Sequence, residues 1–311
     1  MSRRTTTAFL GLAAAAALTL SACGSDDSGS DPFSSGDTEA GTIVVGSANF
    51  PENELLMDIY AGALEAKGLD VETKPNIGAR EVYLKAFEDG DIGLLPEYNG
   101  ALLSYLSGPD GVAKGITSPE DVYDALQKVL PEGAETLPQS DAEDKDTLTV
   151  TAETAEKYGL SSIADLTPVA DQLVVGAGPE WRQRYQGLVG LKDLYGITFK
   201  EFKPLDAGGP LTIAALKDGS IDVANVFSTD PNIAANNWVV LSDPENLYLA
   251  ENIVPLIKSD LVTPEVTDAL NAVSAALTTE NLTELMKQVV LDKQDPKTVA
   301  EKFLADNGLN G

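Results

Sequence analysis

The chain has 311 residues, 43% of them hydrophobic, enough to bury one large core or two moderate ones. Its 21 basic and 49 acidic residues give a net charge of −28, which repels phosphate backbones and argues against nucleic acid as a partner. Histidine is absent, which removes the usual general base, the usual partner of a Ser or Cys nucleophile and the commonest transition-metal ligand, so no metal or cofactor is expected.

In chain order, Arg3-Arg4, the apolar run from Ala8 to Leu20 and the small residues before Cys23 read as a secretory signal, with an apolar stretch too short to span a bilayer comfortably. Leu20-Ser21-Ala22-Cys23 resembles a bacterial lipobox, and Cys23 is the only cysteine. That resemblance implies a leader over residues 1–22, lipidation of Cys23 and attachment to the outer face of the cell membrane, since several acyl chains anchor stably. Residues 23–41, rich in Ser, Asp and Gly, read as a flexible tether.

From Thr42 the pattern becomes β-α-β-α-β: a strand at 42–45, a helix at about 52–67 stopped by Gly68, a strand at 69–73, a helix at 80–88 and a strand at 92–95. An apolar segment at 102–106, a helix at 119–130, a polar stretch at 131–146, a strand at 148–151 and a helix at 152–158 follow. The opening pattern then returns: a strand at 173–176, a helix near 187–195 stopped by Gly196, a strand at 197–202, a helix at 211–217 and a strand at 221–226. Gly90 to Tyr98 aligns without a gap on Gly219 to Phe227, and Lys74-Pro75 faces Lys203-Pro204 at the same spacing. A strand at 238–241, the apolar segment 253–257 and helices at 264–277 and 296–307 complete the chain; the first of these helices is expected to bury Val266, Leu270, Val273 and Leu277.

Such alternation implies parallel sheets with right-handed crossovers, and two copies imply an α/β body of two hinged lobes. Ligands of open α/β sheets bind at the carboxyl ends of the strands, which is where Phe50, Gly78-Ala79-Arg80 and Tyr98 fall in one copy and Trp181, Gly208-Gly209 and Phe227 in the other. A tyrosine ending a strand is ordinarily a core cap. Paired with Phe227, Tyr98 gains a second reading, two ring faces pinching a cation. The loops at Gly78-Ala79-Arg80 and Ala207-Gly208-Gly209-Pro210 either make turns or present free N–H groups to a carboxylate. Arg182 and Arg184 either form surface ion pairs or clamp an anionic group. The carboxylates of Glu143-Asp144-Lys145-Asp146 read as a solvated connection, being too irregular for a calcium loop or a hydrolytic pair.

Taken together, Gly46-Ser47-Ala48-Asn49-Phe50, Pro96-Glu97-Tyr98-Asn99-Gly100, Glu180-Trp181 with Arg184 and Gly187, Leu205 to Thr212, and Phe227-Ser228-Thr229-Asp230 resemble the substrate-binding proteins of ABC importers for glycine betaine, choline, carnitine and related osmoprotectants. The resemblance spans about residues 42–309 and implies a two-lobe clamshell of the type II periplasmic-binding-protein fold. The first lobe would hold residues 42–144 plus 237–311, the second 145–236. It further implies a quaternary ammonium held by an aromatic cage that includes Tyr98 and Phe227, with Arg184 at a position that binds the ligand carboxylate in some members. Asn49, Phe50, Arg80, Asn99, Gly208, Gly209, Thr229 and Asp230 complete the expected ligand-binding set. The implied partners are the solute, a permease and its ATPase, and no reaction is catalysed. Three departures stand out. Many members carry Lys in place of Ala48, Thr-Gly-Thr in place of Asn99-Gly100-Ala101, and an aromatic near Asp146. They leave open another polar or cationic solute, in uptake or sensing; a secreted hydrolase is disfavoured, with no His, no Gly-x-Ser-x-Gly and no identifiable carboxylate pair.

Overall fold

Each copy of the repeat folds as a sheet, and the computed structural model describes residues 41–108 and 111–311. Cys23, the expected leader and all but the last residue of the expected tether lie outside the described residues. The first copy forms β1 (Ile43–Gly46), α1 (Pro51–Glu65), β2 (Val71–Lys74), α2 (Arg80–Asp89) and β3 (Leu94–Tyr98), followed by α3 (Asn99–Ser107), α4 (Pro119–Leu126) and β4 (Ala134–Thr136). Next come β5 (Asp146–Val150) and α5 (Ala152–Tyr158). The second copy is β6 (Val174–Ala177), α6 (Gly190–Tyr195), β7 (Glu201–Pro204), α7 (Pro210–Lys217) and β8 (Val223–Phe227), with α8 (Pro231–Ala235) and β9 (Val239–Val240) after it. The chain closes with β10 (Ile253–Lys258), α9 (Pro264–Ala276), α10 (Thr279–Val290) and α11 (Pro296–Asp306).

The two sheets are built alike. Their strand orders are β2-β1-β3-β10-β4 and β7-β6-β8-β5-β9. In each, the three repeat strands run parallel, and the fourth strand comes from the far side of a crossover and pairs antiparallel. Packing repeats as well: a Cβ on Gly46 would come within 2.8 Å of Ile92 Cδ1, and one on Gly176 within 2.6 Å of Ile221 Cδ1. The two glycines thus admit the same isoleucine at the same place in both lobes, a correspondence that shared strand-helix grammar alone would not produce.

The chain leaves the first sheet after β4 and returns at β10. On the way the two crossover segments pair with each other, Asp144 N–H donating to the Glu251 carbonyl at 3.1 Å and Ile253 N–H to that of Ala142 at 3.1 Å. These two adjacent crossover segments are the connection between the lobes and the position of the interlobe hinge. Residues 237–241, expected in the first lobe, belong to the second sheet through β9, which pairs with β5. The boundary on the return path therefore falls later than 236, because strand pairing, which sequence similarity between the copies does not reveal, decides it.

Helix α1 starts at Pro51, a residue suited to the first helical turn, and buries Leu55, Leu56, Ile59, Tyr60 and Leu64 completely against α9 and α11. The C-terminal helices thus rejoin the first lobe. Val266, Leu270, Val273 and Leu277 are all buried as their spacing requires, and Thr263 caps α9 by accepting from Val266 N–H. The second lobe has its own core around Leu148, Val175, Trp181, Leu191 and Val223. No helix among the described residues is long and apolar enough to cross a membrane.

Candidate functional site

The carboxyl ends of β3 and β8 face one another across the interlobe cleft, and their last residues, Tyr98 and Phe227, occupy equivalent places in the two sheets. Phe50, capping the start of α1, lies between them. Its ring centroid is 5.9 Å from that of Tyr98 and 4.9 Å from that of Phe227, so the aromatic group is a trio spanning both lobes. The loop before α7 closes over Phe227: Gly208 holds φ +62°, and a Cβ there would sit 2.9 Å from the ring, so only glycine fits without strain.

The cleft beside this trio is a cavity of about 60 Å³. Asn49, Phe50, Arg80, Tyr98, Arg184 and Phe227 line it, six of the residues expected from the sequence, together with Trp181, Asp144, Asp146, Asn225 and Glu251. Gly208, Gly209, Thr229 and Asp230 instead line a groove of about 400 Å³ on the other side of the Phe50–Phe227 contact, bounded by Met286 and Val290 of α10. Asn99 is fully buried and lines neither. Its amide spans the hinge, donating to Gln139 Oε1 at 2.7 Å and accepting from Gly100 N–H at 2.7 Å and Asn252 N–H at 2.8 Å.

The arginines are already engaged. Arg80 meets Glu97 through two parallel bonds of 3.0 and 2.9 Å, and Tyr83 adds a third at 2.7 Å. Arg184 donates to Glu81 on the opposite lobe at 3.0 and 2.7 Å, and Arg182 stacks on Phe202, which in turn lies parallel to Trp181. The glycine turn before α7 is likewise occupied, since Asp206 accepts from Leu211 N–H at 2.9 Å and Thr212 N–H at 2.8 Å. These are the amides that a ligand carboxylate at this helix start would have used. Asp230 caps α8 by accepting from Asn232 N–H at 2.7 Å.

The polar floor of the cleft is acidic, and the sequence did not announce it. Far from forming a solvated connection, Asp144 is 1% exposed, and Asp146 sits against the cleft. Asp146 accepts from Asn225 at 2.7 Å, and Glu251 accepts from Gln186 at 2.6 Å. Burial pushes the carboxyls of Asp146 and Glu251 above the ordinary range, and for Glu251 the neighbouring Asp146 charge adds to it. Beneath Tyr98 lies Glu52, which accepts from the Tyr98 hydroxyl at 2.9 Å and from Thr229 of the other lobe. Glu52 also faces Asp144; burial raises both, and the Glu52 charge pushes Asp144 higher still, so one proton shared between the two carboxyls fits the site. The acidic character of 143–146 was visible in the sequence, but its burial comes from residues distant along the chain, among them Thr229, whose N–H donates to Asp144 at 3.0 Å, and Glu251, whose carbonyl accepts from Asp144 N–H.

A family model described as the substrate binding domain of ABC-type glycine betaine transport systems matches residues 41–306. Among curated proteins, the chain is 27% identical over 279 residues to a carnitine transport binding protein of Listeria monocytogenes, covering 88% of this chain and 89% of that one. It is 25% identical to the glycine betaine-binding protein YehZ of Escherichia coli, covering 86% and 92%. Among solved structures, a glycine betaine/carnitine/choline ABC transporter protein superimposes with a TM-score of 0.66 at 23% identity, over 86% of this chain and all of that one. The shared architecture is the type II periplasmic-binding fold.

Proposed function

Because the chain belongs to the family of substrate-binding domains of ABC-type glycine betaine transport systems, we propose that it captures a quaternary-ammonium solute between its lobes outside the cytoplasm and hands it to a membrane permease driven by an ATPase. The observation that carries this reading is the aromatic trio Phe50, Tyr98 and Phe227, drawn from both lobes, beside a floor of buried carboxylates. A quaternary ammonium cannot donate conventional hydrogen bonds. It is recognised by ring faces, each worth about 0.5 to 2 kcal/mol when desolvated, and by diffuse negative charge.

Capture follows from the hinge. Tyr98 and Phe50 move with the first lobe and Phe227 with the second, so a ligand touching all three is bound only when the lobes are closed. Differential affinity for the closed form is what drives closure, and the closed surface is then the one a permease can distinguish. Catalysis is not part of this role. Lipidation at Cys23 would keep the protein next to its permease, and loss of membrane attachment in Cys23→Ala cells would test that element.

A thermal-shift screen with glycine betaine, choline and carnitine tests the ligand class. A ligand at 100 times its dissociation constant stabilises by about 2.7 kcal/mol, a rise of about 4 to 5 °C for a chain of this size. No shift with any trimethylammonium compound would remove this ligand class and leave another polar solute.

A further inference from the structure

A zwitterion such as glycine betaine brings a carboxylate as well as a cation, and the carboxylate needs a partner. Among the described residues lining the cleft, the only cations are Arg80 and Arg184. Arg80 is held by both oxygens of the fully buried Glu97, and Arg184 by both oxygens of Glu81. The backbone amides at the start of α7 are capped by Asp206, and Gly100 N–H at the start of α3 by Asn99. Against these filled positions stand Asp144, Asp146, Glu180 and Glu251 in the same lining.

Asp146 and Glu251 are adjacent, Asp146 N–H approaching Glu251 Oε2 at 3.4 Å. Their remaining partners are neutral amides, Asn225 and Gln186. Neither of these neighbouring carboxyls is in a direct ion pair, and the charges of Arg80, Arg184 and Lys145 act on them only from a distance, a costly arrangement in a protein interior that an entering cation relieves and an entering carboxylate worsens.

We propose that the cleft selects a cation bearing a neutral donor such as a hydroxyl and rejects the zwitterion that carries a carboxylate in its place, with Asp146 and Glu251 as the determinants. This rests on the ligand-class reading above but departs from the glycine betaine in the family's description. The hydroxyl of the cation meets the Asp146–Glu251 pair as a donor, while the ammonium lies towards Phe50 and Phe227.

The test is calorimetric titration of the full chain with two matched pairs, each differing only by CH₂OH against COO⁻: choline with glycine betaine, and ethanolamine with glycine. Choline is expected to bind at least tenfold more tightly than betaine, about 1.4 kcal/mol. In Asp146→Asn and in Glu251→Gln that ratio should contract at least fivefold, a change in selectivity that a purely structural role would not produce. Betaine binding as tightly as choline, or a ratio unchanged in both variants, overturns the inference and leaves the trimethylammonium reading standing. Conversely, ethanolamine binding above glycine with neither trimethylammonium compound binding removes that reading and supports the charge preference; no binding by any of the four removes both.

Discussion

At the scale of single residues, the site depends on which side chains are free to meet a ligand. Tyr98 is 5% exposed and its hydroxyl is engaged by Glu52, so it serves the fold as well as the cleft. Phe227 is only partly buried and offers the cleaner substitution. Phe227→Ala should weaken binding of the solute by about 1 to 3 kcal/mol through lost ring face and lost burial, measured by calorimetry, with the unfolding transition little changed. The Arg80–Glu97 pair behaves oppositely. Both members are buried, and removing one leaves an uncompensated charge, so Glu97→Gln should cost about 3 to 5 kcal/mol of stability in urea unfolding. Tyr98, Phe227 and the two arginines could all be found in the sequence by position and residue type. That the arginines were spoken for could not, because Glu81 and Glu97 look like any other acidic residues in a chain of this charge.

At the scale of elements, the repeat was legible, its supports only in part. Strands β1, β2 and β3 and their counterparts β6, β7 and β8 lie within a few residues of their expected places, since glycine stops and strand periodicity are local signals. Strand β4 and helices α8 and α10 were not foreseen. β4 has three residues inside a polar stretch, and it is a strand only because β10 lies beside it. Helix α10, by contrast, carries its own local signal, a start at which Thr278 and Asn281 cap each other and Leu282, Leu285, Met286, Val289 and Val290 at helical spacing. The dependence on distant partners seen at β4 also creates the Glu52–Asp144 pair, which joins the start of α1 to the crossover before β5. Both carboxyls titrate above their unfolded values. The folded state therefore holds more protons than the unfolded chain once pH rises above about 4, and stability contributed here declines as pH increases until the folded pair ionises. In Asp144→Asn that decline should be reduced: compared by urea unfolding at pH 5.5 and pH 8, the variant should lose less stability than the wild type. Equal losses would show that the two carboxyls do not share a proton.

At the scale of the whole molecule, the lobes meet across the cleft and also where α8 packs on α10. Phe50 touches Phe227, Thr229 donates to Glu52, and Arg184 binds Glu81 at the mouth. Although burial works against it, the Arg184 pairing holds the Glu81 carboxyl below its ordinary value. Exposed pairs of this kind contribute about 0 to 1 kcal/mol and weaken with salt, enough to bias an open–closed equilibrium by up to about fivefold without locking it. Glu81→Gln should consequently raise the radius of gyration of the ligand-free protein in solution scattering, and added solute should restore the compact form. An unchanged scattering profile in the absence of solute would assign the pair to surface chemistry alone. Two lobes and a cleft could be inferred from the repeat, whereas the closed arrangement and the acidic floor arise from residues brought together by two chain crossings. The claim that an aromatic trio grips a cation between the lobes is met most directly by a crystal structure with the trimethylammonium compound that gives the largest thermal shift. The ammonium nitrogen should lie within about 6 Å of the Phe50 and Phe227 ring centroids, with Asp146 or Glu251 facing the rest of the ligand; density for it in the groove beside Met286 instead would be incompatible with that claim.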